Sequence, residues 1–426
     1  MKIVYIHQYF VTPSMPGGTR SYEMARRLVE RGHEVHMVTS WREDGGDTCW
    51  FETEEDGIHV YWLPVPYSNH MSYVQRIRAF FRFALLAARK AASLQADVVF
   101  ATSTPLTIAL PAVYAARKQR IPMVFEVRDL WPELPIAIGV LRNPFMRRAA
   151  QWLERWAYKN SEAVVALSPG MRDGVVGAGY PQERVAVIPN SSDIDFFCGV
   201  DTAAVQRFRA ERSWLGGRRL LVYTGTFGRI NGVGWTVELA RYWLDVAPEL
   251  RILLVGDGQE AGLVRRKAQD AGVLGKNLFI EPPMPKRDMP ILLAAADMAS
   301  SFFIDLPEMR ANSANKFFDA LAAGKPVLLN YGGWQAELVE SAECGYVAWG
   351  KPMGLVAREL AVRMSDQQWL DEAGKASAKL ASSCFDRDVL ARQLEFVLDS
   401  ALKGDGGRAS LIASGVYDAA CISNHV

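Results

Sequence analysis

The chain has 426 residues, of which 50% are hydrophobic and 22% are charged, and its formal net charge is +1. This length is too great for one ordinary core and suits two α/β domains. The near-neutral charge argues against a protein that binds nucleic acid by bulk electrostatic attraction. The five cysteines are widely spaced and form no CxxC pair. This argues against a disulfide framework or a structural zinc site and favours a cytoplasmic protein.

No apolar run reaches the roughly 18–20 residues that are needed to span a bilayer. The short apolar run Lys2–Ile6 is followed at once by His7 and Gln8, which is not the pattern of a signal peptide. We therefore expect a protein that is not integral to a membrane.

Short apolar runs alternate with helical patterns along the first half of the chain. Lys2–Ile6 is typical of a buried strand, and the following helix presents an apolar face from Tyr22 to Val29. Gly32 is expected to end that helix. Further strand-type runs occur at Val35–Thr39, Ile58–Leu63, Val98–Ala101, Pro122–Val127, Ala163–Leu167 and Val185–Ile188. The pattern predicts a parallel sheet covered on both faces.

A second series of strand-type runs follows, at Leu220–Tyr223, Ile252–Val255, Leu278–Ile280, Met298–Phe303 and Pro326–Leu329. We predict an α/β protein with two Rossmann-like, doubly wound parallel-sheet domains, residues 1–190 and 191–385. A helix around 386–403 is expected to complete the first domain, and residues 404–426 form a tail predicted to be disordered. Ligands are expected beyond the carboxyl ends of the strands, in the cleft between the domains.

Two glycine-rich segments follow predicted strands. Gly17, Gly18 and Thr19 precede a helix, where glycines let backbone amides approach a phosphate, although a plain turn needs the same residues. Gly256–Ala261 matches the loose dinucleotide fingerprint, with Glu281 after the next strand as a ribose carboxylate. This second segment leaves an NAD-dependent oxidoreductase open as an alternative.

A metal site is not expected. Asp193 and Asp195 form a DxD pattern that can chelate a divalent ion, but their context is that of a turn. The six histidines are scattered and form no HExxH motif. We predict no catalytic metal and no cofactor.

The densest candidate site is the segment from Ser313 to Val327. Lys316 and Asp319 are three residues apart and share a face in the first turn of a predicted helix. Lys316 is placed to reach a diphosphate and Asp319 to accept ribose hydroxyls. The alternative is a surface ion pair, but a lysine at a positive helix end is unfavourable without an anion.

Seven segments in this order resemble the family-four retaining glycosyltransferases, which have the GT-B fold. The segments are Pro16–Gly18, Arg31–Val35, Ala166–Met171, Ile188–Asp193 with Phe197, Val255–Gly258, Lys316–Val327, and Gly332–Gly333 with Glu337. The block Glu126–Pro132 is similar to the subgroup that builds O-antigen, capsule or exopolysaccharide, which includes fucosamine-type amino-sugar transferases.

The resemblance implies roles for individual residues. Lys316 matches a diphosphate-binding position, and Asp319 matches the second Glu of the family's E-x7-E element, which holds the ribose. Arg229 follows the phosphate loop, and Arg128 stands where a histidine often faces the acceptor. The predicted catalytic residues are Lys316, Arg229, Arg128 and Asp129. The predicted substrate-binding residues are Gly17, Gly18, Thr19, Gly225, Thr226, Gly228, Gly256, Asn312, Asn315 and Asp319.

The chain also departs from the family pattern. The first Glu of E-x7-E falls on Ala311, and Asn312, Glu308 or backbone amides remain alternatives for its sugar contact. The lysine that often follows the phosphate loop falls near Asn231. These departures put the donor sugar in doubt more than the class of reaction.

The predicted activity is retaining transfer of a sugar, with an amino-deoxy sugar as a candidate, from a nucleoside diphosphate sugar. The acceptor is a saccharide or a polyprenyl-diphosphate-linked sugar in envelope polysaccharide biosynthesis. A nucleotide-sugar epimerase and a non-catalytic relative remain alternatives.

A peripheral contact with an anionic membrane is also predicted, from the segment Tyr73–Lys90. Its helical wheel places an apolar stripe against the sheet and a separate basic stripe outward, with Phe83 further round. The apolar stripe consists of Tyr73, Ile77, Phe80, Phe81, Ala84 and Ala88, and the basic stripe of Arg78, Arg82 and Arg89. A normal amphipathic helix with a solvated basic side is the alternative.

Overall fold

The computed structural model describes residues 1–15, 17–42, 49–67 and 71–412. The chain divides into two compact units. The first comprises Met1–Pro189, Ala311–Ser313 and the described part of the segment that begins at Arg387. The second comprises Asn190–Arg310 and Ala314–Asp386. The predicted domain boundaries were residues 190 and 385, and the assignment of Ala311–Ser313 to the first unit was not predicted.

Fourteen strands are found in the described residues. They are β1 (Lys2–Ile6), β2 (Glu34–Trp41), β3 (Phe51–Glu55), β4 (Ile58–Pro64), β5 (Val98–Thr102), β6 (Met123–Val127), β7 (Ala163–Ala166), β8 (Val185–Val187), β9 (Leu220–Thr224), β10 (Arg251–Val255), β11 (Leu278–Glu281), β12 (Met298–Ser301), β13 (Val327–Leu329) and β14 (Gly345–Val347).

Sixteen α-helices occur in the same part of the chain. They are α1 (Arg20–Glu30), α2 (Tyr73–Ser93), α3 (Ala109–Gln119), α4 (Glu133–Ala137), α5 (Pro144–Lys159), α6 (Pro169–Gly177), α7 (Ile194–Phe197), α8 (Thr202–Ala210), α9 (Trp235–Val246), α10 (Ala261–Asp270), α11 (Met289–Ala295), α12 (Asn315–Ala322), α13 (Trp334–Ser341), α14 (Met353–Ser365), α15 (Gln367–Cys384) and α16 (Arg387–Leu402).

The first unit contains an eight-stranded sheet in the order β3-β4-β2-β1-β5-β6-β7-β8. All neighbouring strands pair in parallel except β3 and β4. Helices α2, α3 and α5 cover one face, and α1 and α16 cover the other. Because both faces are covered, Ile3, Val4, Tyr5 and Ile6 are all fully buried, which explains the unbroken apolar run.

The second unit contains a six-stranded parallel sheet in the order β11-β10-β9-β12-β13-β14. Helices α9, α10 and α14 pack on one apolar cluster, and α8 and α11 pack on another. The strand order reverses between β9 and β12, as it does between β1 and β5 in the first unit. Ligands of open α/β sheets bind at such points, beyond the carboxyl ends of the strands.

The packing of α2 corrects the predicted apolar stripe. Ala79, Phe83 and Ala87 belong to the core, whereas Phe81 is 47% exposed. The column at every fourth position, Ala79, Phe83, Ala87 and Ala91, packs on α3, which presents alanines at 109, 112, 115 and 116 to the same cluster. Close packing of the two helices therefore determined which face is buried. Of the predicted stripe, Ala84 is buried as expected, whereas Ile77 and Phe80 are only partly buried and Phe81 is exposed.

The prediction of a disordered tail from residue 404 is wrong for its first part. Gly406–Ile412 forms 3₁₀ turns that pack on the first unit, with Gly406 and Ala409 buried. A Cβ atom at Gly406 would lie 2.1 Å from the carbonyl oxygen of Glu162, so this glycine permits a close backbone approach. The rest of the predicted tail, 413–426, lies outside the described residues.

Candidate functional site

The loop after β9 is built around Gly225. Its backbone has φ = 134°, and a Cβ atom there would lie 3.3 Å from Cε of Lys316. Glycine therefore provides both the backbone conformation and the space for the lysine. The loop continues through the exposed Thr226 to Gly228 and enters a 3₁₀ turn at Arg229.

Lys316 lies in the first turn of α12 and points to the end of β9. Its Nζ donates a hydrogen bond to the Tyr223 hydroxyl at 3.0 Å and lies 4.5 Å from the centre of that ring. The hydroxyl in turn donates to the carbonyl oxygen of Thr226 at 2.9 Å. Burial lowers the pKa of Lys316 to about 7, and no carboxylate opposes this shift. The ammonium is thus held with neutral partners, an arrangement that an incoming anion would stabilise.

Asp319 lies on the same helix, three residues after Lys316. Its Oδ1 accepts a hydrogen bond from Ser192 Oγ at 2.6 Å. Asn315 is exposed at the first helical position, and no side chain caps this helix start. Arg229 is exposed, and among the described residues it forms no ion pair. Asn312 lies in the short segment that groups with the first unit.

Gly256 and Gly258 have a structural explanation. A Cβ atom at Gly256 would lie 1.9 Å from the carbonyl oxygen of Gly225, and one at Gly258 would lie 2.7 Å from that of Phe227. The two glycines therefore allow the loop after β10 to pack against the loop after β9. Glu281, the expected ribose carboxylate of a dinucleotide site, instead accepts two hydrogen bonds of 2.8 Å from Arg212. These contacts account for the fingerprint without a dinucleotide.

In the first unit, the glycine loop precedes α1. Gly17 has φ = 142° and is exposed with Gly18, whereas Thr19 is buried. A Cβ atom at Gly17 would touch the side chain of Val11 at 3.4 Å. Pro16 lies outside the described residues. The two glycines are thus accessible at the start of the helix, as a phosphate-approaching loop requires.

A buried ion pair joins the start of α1 to β6, and the sequence analysis missed it. Arg20 Nη2 lies 2.9 Å from Glu126 Oε1, and both side chains are almost fully buried. Thr102 donates to the other carboxylate oxygen at 2.6 Å. Burial acts to raise the pKa of Glu126, but the charges of Arg20 and Arg128 outweigh it and hold the pKa below its usual range. A glutamate within an apolar strand was the signal that could have revealed the pair.

Arg128 and Asp129 follow β6 directly. The amide of Arg128 donates to Ser103 Oγ at 2.9 Å, and Thr104 Oγ1 donates to Asp129 at 3.1 Å. Burial raises the pKa of Asp129, and the charge of Arg128 and the Thr104 hydrogen bond offset only part of that rise. The pair therefore combines a permanent cation with a carboxyl group of raised pKa at the edge of the sheet.

His7 and Gln8 are further candidates, which the sequence analysis did not assign to the site. His7 Nε2 lies 3.4 Å from Arg128 Nη1, and burial with the charges of Arg128 and Arg42 holds the pKa of His7 well below its usual range. His7 is therefore neutral and accepts from Arg128. Within the described part of the chain, His7 Nδ1 and both amide atoms of the buried Gln8 make no hydrogen bond. Buried polar atoms are usually hydrogen-bonded, so a water or a bound ligand is the expected partner of these three atoms. Two polar residues directly after a buried strand were the available signal.

No group of three or more His, Cys, Asp or Glu that could hold a metal ion occurs in the residues that the structure describes. No described helix is long and apolar enough to cross a membrane. The expectation that no metal is used stays a prediction.

The chain is similar to known proteins both in part of its sequence and in its fold. Residues 17–191 match the glycosyl transferase 4-like domain. The chain is 24% identical over 315 residues to the putative colanic acid biosynthesis glycosyl transferase WcaI of Escherichia coli (strain K12), covering 70% of this chain and 75% of that protein.

Solved structures share the fold over nearly the whole chain. HepE of Anabaena in complex with UDP-glucose matches with a TM-score of 0.70 and 18% identity, covering 94% of this chain and all of that one. WaaG, a glycosyltransferase involved in lipopolysaccharide biosynthesis, matches with a TM-score of 0.68 and 17% identity, covering 93% and 99%. Sucrose-phosphate synthase from Thermosynechococcus elongatus matches with a TM-score of 0.74 and 16% identity, covering 94% and 99%. With the two parallel sheets, these matches show the GT-B fold.

Proposed function

We propose that the chain is a glycosyltransferase, because residues 17–191 match the glycosyl transferase 4-like domain and the chain has the GT-B fold. We propose that it transfers a sugar from a nucleoside diphosphate sugar, with retention of configuration, to a saccharide acceptor in cell-envelope polysaccharide biosynthesis. The similarity to WcaI and to WaaG supports the pathway, and the UDP-glucose complex of HepE supports the class of donor.

The proposal rests mainly on the environment of the Lys316 side chain. Its ammonium is desolvated beside Gly225 and has no carboxylate partner among the described residues. Glycosyl transfer requires stabilisation of the departing nucleoside diphosphate, and a fixed cation in a dry site provides it. Arg229 is placed in the adjacent 3₁₀ turn and adds a second charge. Asp319 is assigned to the ribose hydroxyls.

The acceptor is assigned to the polar edge of the first sheet. Arg128 suits a phosphate of a polyprenyl-diphosphate-linked sugar, because a guanidinium binds phosphate with two parallel hydrogen bonds. Asp129 orients the attacking hydroxyl, and His7 and Gln8 offer neutral hydrogen-bonding groups to the sugar. Retention follows from attack on the same face as the leaving diphosphate, whose oxygen takes the proton of the hydroxyl. This route requires neither a metal nor a second carboxylate.

Donor binding and transfer test the proposal. A panel of nucleoside diphosphates and their hexose and amino-deoxyhexose derivatives is screened by thermal shift, because a ligand of the native state raises its apparent stability. Each donor that binds is then incubated with a synthetic polyprenyl-diphosphate-linked sugar. We expect a UDP-sugar to stabilise the protein and to give a product with the donor's anomeric configuration by NMR. An inverted product would refute retention, and turnover of the donor to an isomeric nucleotide sugar without an acceptor would instead indicate an epimerase.

We further propose that an exposed face of α2 and α5 rests on an anionic membrane. On α2, Arg78, Arg82 and Arg89 are exposed together with Phe81 and Leu85, the last at 69%. On α5, apolar and basic side chains are likewise exposed along one side, at Phe145, Arg148, Trp152 and Arg155. Apolar side chains set among arginines are what an interfacial helix needs, and anionic lipid adds about 1 kcal/mol per nearby cation.

Vesicle co-sedimentation tests this contact. We expect stronger binding to vesicles with 30% phosphatidylglycerol than to phosphatidylcholine alone, and loss of the difference in Arg78/Arg82/Arg89→Glu. Arg207/Arg287/Arg358→Glu changes the same charge at exposed sites of the second unit and serves as the control. Binding that does not depend on lipid charge, or an equal loss of binding in both variants, would refute the membrane contact. The helix would then be an ordinary amphipathic helix with a solvated basic side.

A further inference from the structure

A cavity of about 320 Å³ lies at the amino edge of the first sheet, the edge opposite to His7 and Arg128. The ends of α3 and α5 and the starts of β6 and β7 surround it. Its lining is mainly polar, and the buried residues Val113, Ala116 and Met123 lie at its base. Cavities of this size accommodate a small organic group.

The rim of the cavity is strongly basic. Four cations, Arg117, Arg120, Lys159 and Arg184, face a single carboxylate, that of Glu162. The C-termini of α3 and α5 each contribute about half a negative charge. A net positive charge of about two therefore remains around the opening.

The hydrogen bonds of the rim leave two cations available. Arg117 donates from Nε and Nη2 to Asn160 Oδ1 at 3.1 and 2.6 Å, and Arg184 lies 3.5 Å from Glu162. Across the residues that the structure describes, Arg120 and Lys159 form no ion pair and no side-chain hydrogen bond.

The backbone at Arg120 adds a second observation. This residue caps α3 in the left-handed conformation, with φ = 59°. Glycine or asparagine is usual at such a cap, and any residue with a larger side chain is disfavoured there. The helix cap itself does not require an arginine. An arginine held in this disfavoured backbone conformation is consistent with a ligand-binding role for its guanidinium.

Compensation of helix dipoles accounts for cations at the ends of α3 and α5, whereas Arg184 comes from the 3₁₀ segment Gln182–Arg184 and pairs with Glu162. We propose that this cavity binds a phosphate group, either of a small soluble phosphate or of a phospholipid headgroup. Guanidinium groups bind phosphate oxygens with strong, directional hydrogen bonds, and the cavity has room for a small organic group beside the phosphate. This site is independent of the proposed transfer reaction.

Lysine acetylation tests the site on the full chain. Lys159 lies on the rim, whereas Lys118, on α3, is exposed outside the cavity and is the internal control. Acetic anhydride labelling is measured by peptide mass spectrometry with inorganic pyrophosphate, and separately with phosphatidylcholine vesicles with or without 30% phosphatidic acid. We expect at least threefold slower labelling of Lys159 relative to Lys118 in one arm, and that arm identifies the source of the phosphate.

The variants Arg120→Gly and Arg287→Ala complete the test. Glycine suits the left-handed cap, so Arg120→Gly retains the fold and is expected to abolish the protection. Arg287 is highly exposed in the second unit, and its replacement should leave the protection intact. Equal labelling of Lys159 and Lys118 in both arms, or protection that persists in Arg120→Gly, would overturn the site.

Discussion

Replacement of Lys316 should separate binding of the diphosphate from binding of the nucleoside. In Lys316→Ala the charged hydrogen bond to the diphosphate is lost, which costs about 1.5–3 kcal/mol, or about 10- to 150-fold in Kd. Uridine lacks the phosphates and should bind the variant and the wild type equally. Isothermal titration with UDP and with uridine measures both constants.

The pH dependence of UDP binding provides a second test of the role of Lys316. Burial sets the pKa of free Lys316 at about 7, so the cation is half populated at pH 7 and about 3% populated at pH 8.5. The phosphates of UDP, with a last pKa of about 6, are ionised throughout this range. The Kd of UDP should therefore rise about 15-fold between pH 7 and pH 8.5, because binding must first protonate the amine.

Lys316→Arg is the matched control, because a guanidinium keeps its charge over this range. Its Kd for UDP should not depend on pH between 7 and 8.5. Equal losses of UDP and uridine binding in Lys316→Ala would remove Lys316 from the diphosphate site. A flat pH profile in the wild type would show that its amine is not desolvated.

Three further outcomes follow from the structure. Arg20→Met leaves Glu126 buried without its cation and should lower the free energy of unfolding, measured by urea denaturation, by about 3–5 kcal/mol. The double variant Arg20→Met/Glu126→Gln should recover part of that stability. An equal loss in the single and double variants would contradict the pairing. Burial and the neighbouring Glu133 raise the pKa of Glu154 from 4.5 to about 8. Between these two pH values the folded state keeps a proton that the unfolded state releases. The free energy of unfolding should therefore fall as the pH rises from about 4.5 to about 8. Glu154→Gln should remove that fall in Tm between pH 5 and pH 8.5, and a wild-type Tm that does not fall would refute it. Sugar transfer should survive EDTA, because cationic side chains stabilise the leaving group; activity lost with chelator and restored by manganese or magnesium would contradict this.

Much of the fold was predictable from local pattern. Strands buried on both faces are apolar along their whole length, so runs such as Lys2–Ile6 and Leu220–Tyr223 identified both sheets. The three-residue spacing of Lys316 and Asp319 placed them on one side of a helix without knowledge of the rest of the chain. Gly225, by contrast, was assigned to the site only through the resemblance to the family, as part of the loop that follows a strand.

The tertiary structure alone decided which groups meet. The hydroxyl that holds Lys316 comes from Tyr223, 93 residues away, and the cation beside His7 comes from Arg128, 121 residues away. Such pairs depend on the order of strands in a sheet, which the hydrophobic pattern does not encode. The buried face of α2 was likewise set by its neighbour α3, because periodicity shows that a helix is amphipathic but not which partner covers it.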